Sequence, residues 1–133
     1  MSKRILVVDD EPDVVKAIVS RLKGEGYEVI TASGGKEALD KVRSQRPDLM
    51  LLDIIMPGMD GIEVLQQLKE IDPDLPVVII TAHPSLEPKD ILKYGASGYI
   101  KKPFESEELK GAIKEGLEEK KETKDVQKNF SHR

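Results

Sequence analysis

Short apolar runs recur along the chain, at Ile5-Leu6-Val7-Val8, Leu49-Met50-Leu51-Leu52 and Val77-Val78-Ile79-Ile80. Between them lie longer segments whose apolar residues return at helical spacing, the pattern of an α/β protein built on a parallel sheet. Pro12 suits a first helical turn, and Val14, Val15, Ile18 and Leu22 then form one apolar stripe that Gly24 and Gly26 bring to an end. A second strand is predicted from Tyr27 to Ala32. Gly34-Gly35 precede a helix carrying Ala38, Leu39 and Val42, which stops before Pro47, and the third strand leads to Asp53. Asp60 is placed to cap a helix carrying Ile62, Leu65 and Leu68, closed by Asp72-Pro73. The fourth strand ends at Thr81. His83-Pro84 and Pro88 then leave room only for a short fourth helix, from Pro88 to Tyr94, ahead of a fifth strand from Ser97 to Lys101. Ser106 is placed to cap the last helix, which runs through Leu109, Ile113 and Leu117 into a charged extension expected to fray as a mobile tail.

Strands joined by right-handed crossovers give a three-layer sandwich whose crevice lies at the carboxyl ends of the strands. The polar residues that interrupt the pattern fall at those ends: Asp9 and Asp10 after strand one, Asp53 at strand three, Thr81 at strand four and Lys102 after strand five. A single acid at a strand end is usually a cap or a solvated turn. Acid pair, acid, hydroxyl and ammonium at four ends of one sheet is a different matter. Three carboxylates that converge repel one another unless a cation joins them, and hard oxygen donors of this kind suit Mg2+.

Composition narrows the class. The 133 residues make one domain's worth of chain, and the net charge of −4 with both signs dispersed gives no nucleic-acid footprint. The absence of cysteine excludes disulfides, thiolate metal sites and cysteine nucleophiles. Apolar runs are strand-sized and the start of the chain has no signal-peptide pattern, so no membrane association and a cytoplasmic location are expected.

Taken together, Asp9-Asp10, Asp53 with Met56-Pro57 and Gly61, Thr81-Ala82, Gly95-Ala96, Tyr99 and Lys102-Pro103-Phe104 resemble the receiver domain of two-component response regulators. The resemblance covers residues 3–120 and leaves 121–133 as a charged tail or linker. It implies a flavodoxin-like fold, a five-stranded parallel sheet of order 2-1-3-4-5 with five helices. It further implies that Asp53 accepts a phosphoryl group from a histidine kinase, a histidine phosphotransfer protein or a small donor such as acetyl phosphate. Asp10 would bind Mg2+ (or Mn2+) directly and Asp9 mainly through water, with Asp53 and the backbone carbonyl of Ile55 as further ligands. Lys102, the Thr81 hydroxyl and the Ala82 amide would hold the phosphoryl oxygens, while Lys101 points the other way. Inward movement of Thr81 and rotation of Tyr99 would carry the switch to the surface of helix four, strand five and the last helix, toward a downstream protein or an output domain. Catalysis beyond the protein's own phosphorylation and dephosphorylation is not expected. The chain would be a monomer or a phosphorylation-dependent dimer.

The chain departs from that pattern at His83-Pro84-Ser85-Leu86-Glu87-Pro88, where two prolines predict a shortened or displaced fourth helix and His83 reads as a loop residue. Apolar Ile55 cannot position a hydrolytic water by hydrogen bonding, which implies slow self-dephosphorylation. Other classes fit less well. An aspartate-nucleophile phosphatase of the haloacid-dehalogenase type needs a second acid at the place of Ile55. Asp9-Asp10-Glu11 would repel the phosphate of a flavin, and Gly34-Gly35-Lys36-Glu37 is not a P-loop. A receiver-shaped binding module that works without phosphorylation is the stronger rival.

Overall fold

In the computed structural model the described residues are 2–54, 61–82 and 93–130, with residues 119–130 described as backbone alone. Five strands, β1 (Arg4–Val8), β2 (Glu28–Ala32), β3 (Leu49–Asp53), β4 (Val77–Thr81) and β5 (Gly98–Lys101), form one sheet in the order β2-β1-β3-β4-β5. All pairings are parallel. Four helices are described: α1 (Pro12–Gly24), α2 (Gly35–Gln45), α3 (Gly61–Ile71) and α4 (Ser106–Phe130). The expectation was five. Apart from residues 93 and 94, the expected fourth helix lies outside the described residues, as do the Asp60 cap and His83.

Alternation along each strand divides the core into two layers. Leu6, Val8, Met50, Leu52, Val77 and Ile79 face Ala38, Leu39 and Val42 of α2 and Val64, Leu65 and Leu68 of α3. Ile5, Val7, Leu49, Leu51, Val78, Ile80 and Ile100 face Ile18 and Leu22 of α1 and Leu109 and Ile113 of α4. With helices on both faces, the inner strands are apolar without a polar side, so β3 and β4 are buried at every position. Burying each of these large aliphatic side chains is worth about 1.5–3 kcal/mol, enough to fix the sheet edge on which the polar residues stand.

Local signals explain most element ends. Pro12 opens α1, and Gly26, at φ +91, lets the chain turn out of it. The Gly26 amide donates to the Lys23 carbonyl at 3.0 Å and the Tyr27 amide to that of Leu22 at 3.1 Å, which satisfies carbonyls the helix would otherwise leave open. The last helix differs from expectation at its start. Ser106 is its first residue rather than its cap. The capping place belongs to Glu105, whose carbonyl accepts from the Leu109 amide and whose own amide donates to the Glu108 carboxylate at 3.3 Å. At the far end α4 continues to Phe130, in keeping with the helix extension expected past Leu117. Lysine and glutamate, which dominate that stretch, are good helix formers and favour continuation.

Candidate phosphoacceptor site

Strand register brings the acids together. Val8 pairs with Leu52, so Asp9, the next residue out, stands level with Asp53 at the carboxyl edge of the sheet. The Asp9 amide donates to the Ala32 carbonyl at 3.2 Å, which extends the β1–β2 pairing one residue and holds Asp9 in place. Asp9 and Asp53 are buried, while Asp10 and Glu11 on the following turn are exposed. Asp9, Asp10, Glu11 and Asp53 each present a carboxylate oxygen within 4.8 Å of the others.

Lys102 enters this cluster from the far side of the sheet. Its amide donates to the Thr81 carbonyl at 2.8 Å, which fixes the chain just past β5 against the end of β4. Its ammonium nitrogen lies 3.1 Å from Asp9 Oδ2, 3.4 Å from Asp53 Oδ2 and 3.4 Å from Glu11 Oε1, with only 14% of the side chain exposed. Burial works against the charge. The hydrogen bond to Asp9 and the charges of Asp53, Asp9 and Glu11 outweigh it and hold the Lys102 pKa above the ordinary lysine value. Lys101 is exposed and pairs in register with Thr81. The peptide bond between Lys102 and Pro103 is cis.

The remaining candidates sit around this centre. Thr81, fully buried, ends β4 one residue beyond Ile80, the register partner of Asp53. Ala82 follows it and is exposed. Tyr99 is half-buried and packs against the core layer under α2 and α3. Ile55 lies outside the described residues. Glu11 is the member to which the sequence pattern assigned no role; the signal was an unbroken run of three acids directly after a buried strand.

The loop after Asp53 returns onto the backbone it left. The Gly61 amide donates to the Ile54 carbonyl at 3.0 Å. A methyl group on Gly61 would stand 2.5 Å from Ile54 Cα and 3.1 Å from the Asp53 carbonyl oxygen, so the start of α3 can lie here only without a side chain. We expect Gly61→Ala to lower stability by about 1–3 kcal/mol as the Asp53–Ile54 backbone is pushed aside. Gly111→Ala, where the added methyl meets nothing within 4 Å, should instead stabilise α4 by about 0.5–1 kcal/mol. Urea midpoints of the two variants check both signs.

A doubly wound parallel sheet whose carboxyl edge gathers four acids, three of them on Lys102, defines the class, an α/β domain with an acidic pocket at its sheet edge. Residues 5–114 match the family described as response regulator receiver domain, and the chain belongs to that family. It is 43% identical over 115 residues to the alkaline phosphatase synthesis transcriptional regulatory protein PhoP of Bacillus subtilis, covering 86% of this chain and 48% of that one. It is 40% identical over 118 residues to sporulation initiation phosphotransferase F of the same organism, covering 88% of this chain and 95% of the relative. Among solved structures, the response regulator TrrA of Thermotoga maritima in complex with Mg2+ and BeF superposes with a TM-score of 0.80 at 41% identity, over 86% of this chain and 99% of that one. The chain thus spans about half the length of relatives such as PhoP and nearly all of the phosphotransferase. No described helix is long and apolar enough to cross a membrane.

Proposed function

We propose that this chain is a phosphorylation switch in a two-component relay, with Asp53 as its phosphoacceptor. The observation that carries the reading is the junction of Asp53, Asp9 and Glu11 on the Lys102 ammonium. In the transfer, an Asp53 carboxylate oxygen forms a bond to phosphorus as the bond from phosphorus to the leaving group breaks. The leaving group is the imidazole of a partner's phosphohistidine or, with acetyl phosphate, acetate. Anion meets anion, so charge neutralisation and alignment are the main demands on the protein. Lys102 supplies a fixed positive charge beside the acceptor and passes to a phosphoryl oxygen once the acyl phosphate forms. The Thr81 hydroxyl and Ala82 amide, at the end of the neighbouring strand, take the other oxygens.

The donor set fits a hard divalent cation. Four carboxylates and one ammonium leave the cluster strongly negative, and all its ligand atoms are oxygen. Asp10, Asp53 and the Ile55 carbonyl would hold Mg2+ or Mn2+, with Asp9, already engaged by Lys102, acting through water. When bound, such an ion would supply positive charge to phosphoryl oxygens and the acceptor carboxylate together. The Mg2+ and BeF in the similar Thermotoga structure support this assignment.

The same reading makes Thr81 and Tyr99 the switch. A phosphoryl group draws Thr81 toward the acceptor, and Tyr99 turns into the space released, which biases an existing equilibrium between two arrangements. Residues 3–120 would be a cytoplasmic receiver unit, residues 121–133 a linker or tail, and the partners a sensor histidine kinase or histidine phosphotransfer protein together with an output protein or domain. The test is intact mass after incubation with acetyl phosphate and Mg2+, followed by peptide mapping. A phosphoryl gain on the peptide carrying Asp53 is expected, with slow loss afterwards. No gain with either acetyl phosphate or a phosphohistidine donor would favour a binding module that works without phosphorylation.

A further inference from the structure

Glu11 stands at the cap position of α1, yet its side chain makes no capping hydrogen bond. Its amide donates to Asp9 Oδ1 at 2.9 Å, and its carboxylate turns across the site to Lys102, 3.4 Å away and 91 residues distant along the chain. Asp9 and Asp53 hold Lys102 from the buried side; Glu11, with 60% of its side chain exposed, holds it from the mouth. A helix start gains from a local cap or from an acid near its amide groups. This acid is committed elsewhere.

We propose that Glu11 is a positioning residue: it tethers the Lys102 ammonium at the open rim in the unphosphorylated protein, and phosphorylation proceeds by exchange of the Lys102–Glu11 pair for a Lys102–phosphoryl pair. The inference rests on Asp53 as acceptor. While the tether holds, the lysine charge facing an incoming donor is partly cancelled, and the rim acid adds repulsion. Once a phosphoryl group is on Asp53, its oxygens outcompete a solvated carboxylate for the same ammonium. An exposed partner suits this purpose, because a pair worth a fraction of a kilocalorie holds the lysine at rest and still lets go.

The experiment compares the native chain with Glu11→Gln, which keeps the shape and removes the charge. In Mg2+-free buffer, labelling of Lys102 by acetic anhydride relative to exposed Lys101, read by peptide mass, should rise about two- to five-fold in the variant, the range expected for release of one exposed ion pair. With Mg2+ and sub-saturating acetyl phosphate, the initial rate of Asp53 phosphorylation should rise by a similar factor at low ionic strength, and the gain should shrink as salt screens the pair. Unchanged Lys102 labelling would overturn the tether. Faster labelling with an unchanged or slower phosphorylation rate would overturn its part in transfer, a slower rate with weakened Mg2+ dependence marking Glu11 as a cation ligand instead. A native chain that takes no phosphoryl group would remove the acceptor reading, and the gating role with it, whatever the labelling shows.

Discussion

Asp53→Asn is expected to take up no phosphoryl group from acetyl phosphate and Mg2+, and in Mg2+-free buffer to be more stable than the native chain by about 1–2 kcal/mol. The two effects share one cause. Asp53 places its carboxylate where Asp9, Asp10 and Glu11 each bring an oxygen within 4.8 Å and where, among the described residues, Lys102 answers at 3.4 Å. Neutralising Asp53 weakens its attraction to Lys102 and relieves repulsion from Asp9, Asp10 and Glu11 at comparable distance, so we expect the balance to favour the amide. Water screens the parts due to exposed Asp10 and Glu11, which is why the net gain stays modest. Mg2+ stabilises a protein more the more tightly it binds the folded state, and Asp53→Asn deletes a proposed ligand, so added Mg2+ should narrow or reverse the difference. Intact mass and urea unfolding with EDTA or Mg2+ measure all three. A phosphoryl gain in the variant would move the acceptor elsewhere; a variant less stable than native protein in EDTA would mean that the acids do not strain the site.

That conflict between local charge and stable burial is also what made the centre legible in the sequence. Apolar runs ending in Asp9-Asp10 and in Asp53 announced both the buried strands and the edge at which they stop, because a parallel sheet covered on both faces leaves no position for an acid except its ends. The chain order of apolar run and helical stripe was enough to expect a doubly wound sheet, and the strands are observed in the expected places to within a residue. Glu11 was less legible. Its partner Lys102 is 91 residues away, and nothing in the local pattern distinguishes a carboxylate that caps a helix from one that reaches across a sheet edge. The start of α4 shows the same limit on a small scale: Ser106 is a favoured capping residue, yet the helix is capped one residue earlier, where the Glu105 amide is satisfied by Glu108. Gly61 lay between. A glycine after a turn-rich stretch is common, and only the return of the chain onto Ile54 explains why this one must have no side chain.

Lys102→Met should be the counterpart of Asp53→Asn, with the sign reversed. Among the described residues, Lys102 is the cation in contact with the cluster, so its removal leaves Asp9 and Asp53, both buried, facing each other without it. Breaking a fully buried ion pair from one side costs about 3–5 kcal/mol. Here the cluster opens to solvent through Asp10 and Glu11, and a loss of about 2–3 kcal/mol in EDTA is expected. A divalent cation replaces the missing charge, so Mg2+ should stabilise Lys102→Met more than it stabilises the native chain. The pH dependence carries a second signature. Because the folded protein holds Lys102 above the ordinary lysine value, its contribution is fully present below that value and is lost as pH rises through the folded one. In EDTA, then, the gap between native and variant stability should stay constant through neutral pH and close only in the alkaline range. Urea midpoints across that range decide the matter: a gap that closes on the acid side of neutrality would place the dependence on the carboxylates, and the absence of any gap would mean that solvent already shields Asp9 and Asp53 from each other.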